Sequence, residues 1–168
     1  MASNAEQFSD APVPLSGTSL DPYGQLLKML LPRAQSIAIY DRMGLPVWLN
    51  DGLDSPELHR VLQDALATEL SAEGSGQGFS EAVDRDHCAY VFMLRDTDAQ
   101  LIGAVGIVCR ESRQGADPRP FQLVHGLLRP VLECLQRELS AQYSIGDLQR
   151  SLMVRDRDLE LLLGATQD

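Results

Sequence analysis

The sequence predicts an α+β domain: a mostly antiparallel sheet flanked by helices, with one long helix at its C-terminal end. Three observations carry that expectation. The patterns run helix, two strands, helix, three strands, long helix, and no parallel βαβ series is visible. The stretch Leu101–Cys109 is apolar on both faces, as a central strand covered on both sides must be. Leucines then recur at helical spacing from Leu128 to Leu162.

Residues 1–20 carry Ser, Asn, Asp, Pro and Gly with few large apolar side chains, so a flexible leader is expected there. The domain is expected over residues 21–139, and a signalling or coiled-coil helix over 140–168. Asp21 and Pro22 stand in the preferred cap and first-turn order of a helix. Leu26, Leu27, Leu30 and Leu31 give that helix an apolar stripe, and Pro32 ends it.

Ser36–Tyr40 alternates β-branched with smaller residues and reads as a strand. Asp41–Gly44 supplies a turn, and Leu45–Leu49 returns as a shorter strand, with Pro46 at its start or on an edge. A second helix runs from Ser55 to about Leu70, with Ser55 as cap and Pro56 at the first helical position. Its apolar face is Leu58, Val61, Leu62, Ala65 and Leu66. After the glycine-bearing loop Ser71–Gly78 come three strands, Phe79–Val83, Cys88–Arg95 and Leu101–Cys109, the last two joined across Asp96–Asp98. Gly103 and Gly106 lie inside the last strand, where a helix crossing close to the sheet explains them.

From Phe121 the pattern is helical almost to the end, with a bend expected at Pro130. Leu128, Leu132, Leu135 and Leu139 form one stripe; Ile145, Leu148, Leu152, Leu159 and Leu162 form another, with Arg155 between Leu152 and Leu159. The two are out of phase, so a change of register is expected near Ser140–Gly146.

The 168 residues carry 24 acidic and 14 basic side chains, a formal charge of −10, and Lys28 is the only lysine. That balance argues against a general nucleic-acid surface, which needs clustered positive charge, and against a polybasic membrane patch. The longest run free of polar side chains, Leu101–Cys109, is under half of the roughly 20 residues a membrane helix needs. Residues 1–20 hold no Lys or Arg and no apolar core of a secretory signal. Cys88, Cys109 and Cys134 form no close-spaced motif, and a reduced cytoplasmic domain is the expectation.

The order of elements, with its apolar last strand and outgoing helix, resembles the GAF domain, a sensor fold related to PAS. That resemblance covers roughly Asp21 to Leu139. It implies a five-stranded sheet ordered 2-1-5-4-3, terminal helices on one face, and a small-molecule pocket on the other. Two segments sharpen it. Ala34 to Trp48, AQSIAIYDRMGLPVW, is similar to the opening of N-terminal sensor regions in bacterial cyclic-di-GMP signalling proteins. Leu148 to Leu163, LQRSLMVRDRDLELLL, is similar to the connector that precedes another sensor module or an EAL or GGDEF catalytic domain in such proteins. Neither catalytic motif occurs in this chain, and the Asn-Lys-Phe-Asp/Glu cluster of cyclic-nucleotide-binding GAF domains is missing.

For a ligand, Tyr40, Trp48, Tyr90 and Phe92 could line a pocket, with Arg42 or Arg95 holding an anionic group; the same aromatics serve equally as sheet core. His87–Cys88 is the most reactive-looking pair, since an adjacent imidazole can lower a thiol pKa. With His59, Cys109 and Cys134 on other elements, and no Cys-x-x-Cys, neither a metal site nor a cofactor is expected. Gly-x-x-Gly at Gly103–Gly106 lacks the following Lys-Ser/Thr of a phosphate loop, and no Gly-x-Ser-x-Gly nucleophile motif occurs.

The functional expectation is therefore a noncatalytic sensor. It would form a homodimer through Leu128, Leu132, Leu135, Leu139, Ile145, Leu148, Leu152, Leu159 and Leu162, and relay a change in the domain, from an unidentified small-molecule ligand or a partner, to a downstream output domain of cyclic-di-GMP turnover. The alternatives are a stand-alone protein-binding scaffold and a small redox enzyme using Cys88.

Overall fold

The computed structural model describes residues 17–50, 55–71, 76–110 and 119–165. The elements run α1 (Gly17–Leu30), β1 (Ala34–Asp41), β2 (Pro46–Leu49), α2 (Pro56–Ser71), β3 (Gly78–Ala82), β4 (His87–Arg95), β5 (Leu101–Arg110) and α3 (Phe121–Ala165). All strands pair antiparallel in one sheet of order β2-β1-β5-β4-β3. The expected α+β class holds, and the strand order is the one that the GAF resemblance implied.

Local chemistry accounts for the turns. Between β1 and β2 the Asp41 carboxylate accepts from the backbone N–H of Met43 at 2.8 Å and of Leu45 at 2.9 Å, and Gly44 takes the positive φ. Asp96 does the same between β4 and β5, accepting from the Asp98 and Gln100 N–H groups at 2.9 Å each. Ser55 caps α2 as expected, its hydroxyl accepting from the Leu58 N–H at 3.3 Å.

The sheet sorts its side chains by parity. Ile37, Ile39, Tyr90, Phe92, Val105 and Ile107 point to the face covered by α1 and α3, where they meet Leu20, Leu27 and the α3 leucines. Ala38, Tyr40, Val91, Met93 and Ala104 point to the other face, beneath Leu58, Val61 and Leu62 of α2. Both glycines of β5 are explained by this double covering. A Cβ on Gly106 would stand 2.7 Å from Leu58 Cδ1, and one on Gly103 would stand 3.0 Å from Leu139 Cδ1. Each face brings a helix down onto a bare strand position, as expected.

The start of the first helix differs from expectation. The first helix starts at Gly17 and places Leu20 in the core with no exposed surface, so the domain reaches back into the expected leader, whose residues 1–16 lie outside the described residues. Asp21 is not a cap: its carboxylate accepts the indole N–H of Trp48 at 2.6 Å, and Pro22 lies inside the helix. At the other end, α3 is one continuous helix through Pro130 and through Ser140–Gly146.

Candidate functional site

The out-of-phase leucine stripes lie on two sides of this unbroken helix. Leu128, Leu132, Leu135 and Leu139 are at most 5% exposed and pack on the sheet of their own chain. They are corrected here from dimer contacts to core, because an apolar face already buried within the protomer is closed to a partner. At 3.6 residues per turn, Leu148, Leu152 and Leu159 lie about half a turn around the helix from them. These outer leucines, with Ile145 and Leu162, are all more than half exposed.

Leu123 and Leu127, near the start of α3, project to that same outer side and are also exposed, at 63% and 46%. The outer face therefore carries leucines near both ends of a 45-residue helix. Sequence reasoning missed Leu123 and Leu127, although their four-residue spacing and their phase with Leu148 were available. On α1, which packs against α3, Leu26, Met29 and Leu30 are exposed as well.

The body holds α3 by contacts just before it runs out. The Arg42 backbone N–H donates to the Tyr143 hydroxyl at 3.2 Å, and the Arg42 guanidinium stands over the Tyr143 ring, 4.8 Å from its centroid. Gln142 donates to Ser19 of α1 and, at 2.9 Å, to Glu138. Burial raises the Tyr143 phenol pKa above its ordinary value, and the Asp41 carboxylate acts in the same direction.

The residues expected around a ligand do not share a site. Trp48, Tyr90 and Phe92 are core on the α3 side of the sheet, Tyr40 is core beneath α2, and Arg42 is exposed at the β1–β2 turn beside Tyr143. The separation follows from register: Tyr40 pairs with Ala104, and Tyr90 with Ile107, on opposite faces. A shallow cleft of about 510 Å³ lies between β4 and α3, beside the Phe92–Phe121–His125 ring stack, with Arg95 and Arg129 along it. Of the expected ligand residues Phe92 and Arg95 reach it, and Tyr40, Arg42, Trp48 and Tyr90 do not.

The candidate redox pair is also taken apart. Cys88 is buried at 2% exposure, while His87 Nδ1 lies 2.8 Å from the Asp84 carboxylate. Alternation along β4 directs neighbouring side chains to opposite faces, so the imidazole is turned away from the thiol. Cys88 stands opposite Cys109 across β4 and β5, a pairing that spacing alone did not show, and Cys134 is exposed on α3. Among the described residues no three His, Cys, Asp or Glu side chains gather as metal ligands, and no helix is long and apolar enough to cross a membrane.

No family model and no curated protein sequence matches the chain. Solved structures do. A structure described as MglB with tetrameric arrangement matches at TM-score 0.52 and 15% identity, over 80% of this chain and 98% of that one. Myxococcus xanthus MglB matches at TM-score 0.54 and 8% identity, over 79% of this chain and 96% of that one. A Roadblock/LC7 domain from Streptomyces avermitilis matches at TM-score 0.51 and 13% identity, over 72% of this chain and 98% of that one. At such identities the likeness is one of fold. It overturns the GAF/PAS resemblance, and with it the expected sensor that relays a signal to an EAL or GGDEF output domain of cyclic-di-GMP signalling.

Proposed function

We propose that this chain is a protein-binding scaffold module that acts by association rather than catalysis, and that a second copy of the chain occupies the outer face of α3. The observation that carries the reading is the exposed apolar face from Leu123 to Leu162 on a helix whose inner face is already satisfied. Large exposed apolar patches mark interaction surfaces in proteins without a membrane role. Spacing points to another helix as the occupant. Ile145, Leu148, Leu152, Arg155, Leu159 and Leu162 follow alternating three- and four-residue steps, the seam of a helix pair. The tetrameric arrangement described for one MglB structure supports self-association within this fold.

Sedimentation velocity on the wild type and on single Leu152→Glu and Leu127→Glu variants tests the reading. Both positions are exposed, so the variants fold as the wild type does and sediment more slowly because the assembly is weakened. Variants that sediment like an associated wild type would remove the outer face from the interface.

A further inference from the structure

The outer face is not the only surface suited to a partner. At the end of the sheet where α1 leads into β1 and β5 ends, a cavity of about 80 Å³ is lined by Leu31, Tyr90, Cys109 and Val124. These four are nearly or wholly buried, so they form its floor. Its mouth is formed by three exposed arginines from separate segments: Arg33 before β1, Arg110 at the end of β5, and Arg119 before α3. The positions are fixed by backbone bonds. The Arg110 N–H donates to the Arg33 carbonyl at 3.4 Å, and the Tyr90 hydroxyl donates to the Arg119 carbonyl at 3.0 Å.

Three arginines from separate segments line this one cavity in a chain of net charge −10, and among the described residues none of the three has a carboxylate partner. Elsewhere the same residue type is paired with acid, as Arg129 is with Glu133 at 2.8 Å. Arginines brought to one cavity repel one another, and an anion between them relieves that repulsion. The N-terminal end of α3, which starts at Phe121, adds positive potential near Arg119.

Size decides what kind of anion. Pockets for drug-sized or cofactor-sized ligands hold about 300–1,000 Å³. A cavity of about 80 Å³ takes one apolar side chain. We propose that this arginine-rimmed cavity is a docking point for an acidic peptide segment of a partner protein, which seats one aliphatic side chain on the Leu31–Val124 floor while flanking carboxylates meet Arg33, Arg110 and Arg119. The inference rests on reading the chain as a protein-binding module and uses a surface separate from the outer leucines.

The test is calorimetric titration of the full chain with the synthetic peptide Asp-Glu-Leu-Glu-Asp. Its counterparts are Asn-Gln-Leu-Gln-Asn, Asp-Glu-Gly-Glu-Asp and inorganic phosphate. Saturable binding of the first peptide is expected, weakened by salt. Each of Arg33→Gln, Arg110→Gln and Arg119→Gln weakens it about two- to fivefold, the range of exposed ion pairs. Exchange of the central leucine for glycine weakens it about tenfold or more, as loss of a buried aliphatic side chain does. Absence of saturable binding, equal binding of the uncharged peptide, or equal binding of phosphate would each overturn the proposal. The arginines are exposed, so unchanged far-UV circular dichroism of the variants keeps the comparison valid. Sedimentation of the same samples separates the two surfaces: peptide binding lost with association intact removes the cavity alone, and the reverse removes the outer face alone.

Discussion

The indole N–H of Trp48 donates to the Asp21 carboxylate at 2.6 Å, and this bond ties α1 to the edge strand β2. Gly24, one turn on from Asp21, lies so close over the indole that a Cβ there would stand 2.2 Å from Trp48 Cζ2. Asp21→Ala leaves an indole donor at a 9% exposed residue without its acceptor, and the cost expected is about 1–3 kcal/mol. Asp21→Asn keeps an acceptor and costs less. Gly24→Ala reverses the helix-propensity rule: alanine gains about 1 kcal/mol in a helix interior, yet net destabilisation is expected because the methyl group overlaps the ring. Urea unfolding followed by fluorescence of the single tryptophan measures all three.

The two glycines of β5 rank by what a methyl group would meet. At Gly103 the nearest atom is the Tyr40 carbonyl oxygen at 2.6 Å, which is backbone in the neighbouring strand. At Gly106 it is the end of the Leu58 side chain, which can turn aside. Gly103→Ala is therefore expected to cost more than Gly106→Ala, within the range of about 1–3 kcal/mol for overpacking. Equal losses in thermal unfolding would contradict the close packing at Gly103.

The two sides of α3 separate core from exposed surface. Leu135 has no exposed surface and Leu152 is 60% exposed. Leu135→Ala is expected to lower stability by about 2–5 kcal/mol, as buried leucine truncations do. Leu152→Ala leaves the protomer's stability nearly unchanged and weakens association. Denaturation at low and high protein concentration distinguishes the two effects.

Alkaline stability reports the Tyr143 tether. Burial holds the phenol pKa above 10.0, its value in the unfolded chain, so the folded state keeps the proton longer. Stability from this source is complete below pH 10.0 and is lost as pH rises through the folded pKa. Tyr23, raised chiefly by burial, declines in the same direction and remains in the variant. The stability difference between wild type and Tyr143→Phe should therefore shrink above pH 10.0; a difference constant across that range would place the phenol in water.

The strands were legible because each alternates or is closed by a turn residue with a definite task, Asp41 and Asp96 above all. Gly103 and Gly106 announced close helix packing for the same reason: only a bare strand position admits a helix so near. The start of α1 was misread because Asp21–Pro22 carries the chemistry of a cap, and Trp48, the true partner of Asp21, is remote in sequence. The stripe on α3 was legible as apolar, but spacing does not state whether a leucine faces its own sheet or another molecule. Burial divides Leu128–Leu139, which face their own sheet, from the exposed Leu148–Leu162. Strand order likewise did not separate the GAF resemblance from the Roadblock/LC7 fold, since the order that the resemblance implied is the order found. Register, which no spacing reveals, placed Tyr40 and Tyr90 on opposite faces and set Cys88 against Cys109.

The most direct test of the account is native mass spectrometry of the purified wild-type chain over a range of concentrations, with the same samples denatured. The account predicts species at multiples of the 18.5 kDa chain mass that grow with concentration and collapse to one chain on denaturation. A monomer at every concentration, up to high micromolar, would contradict self-association through the outer face of α3.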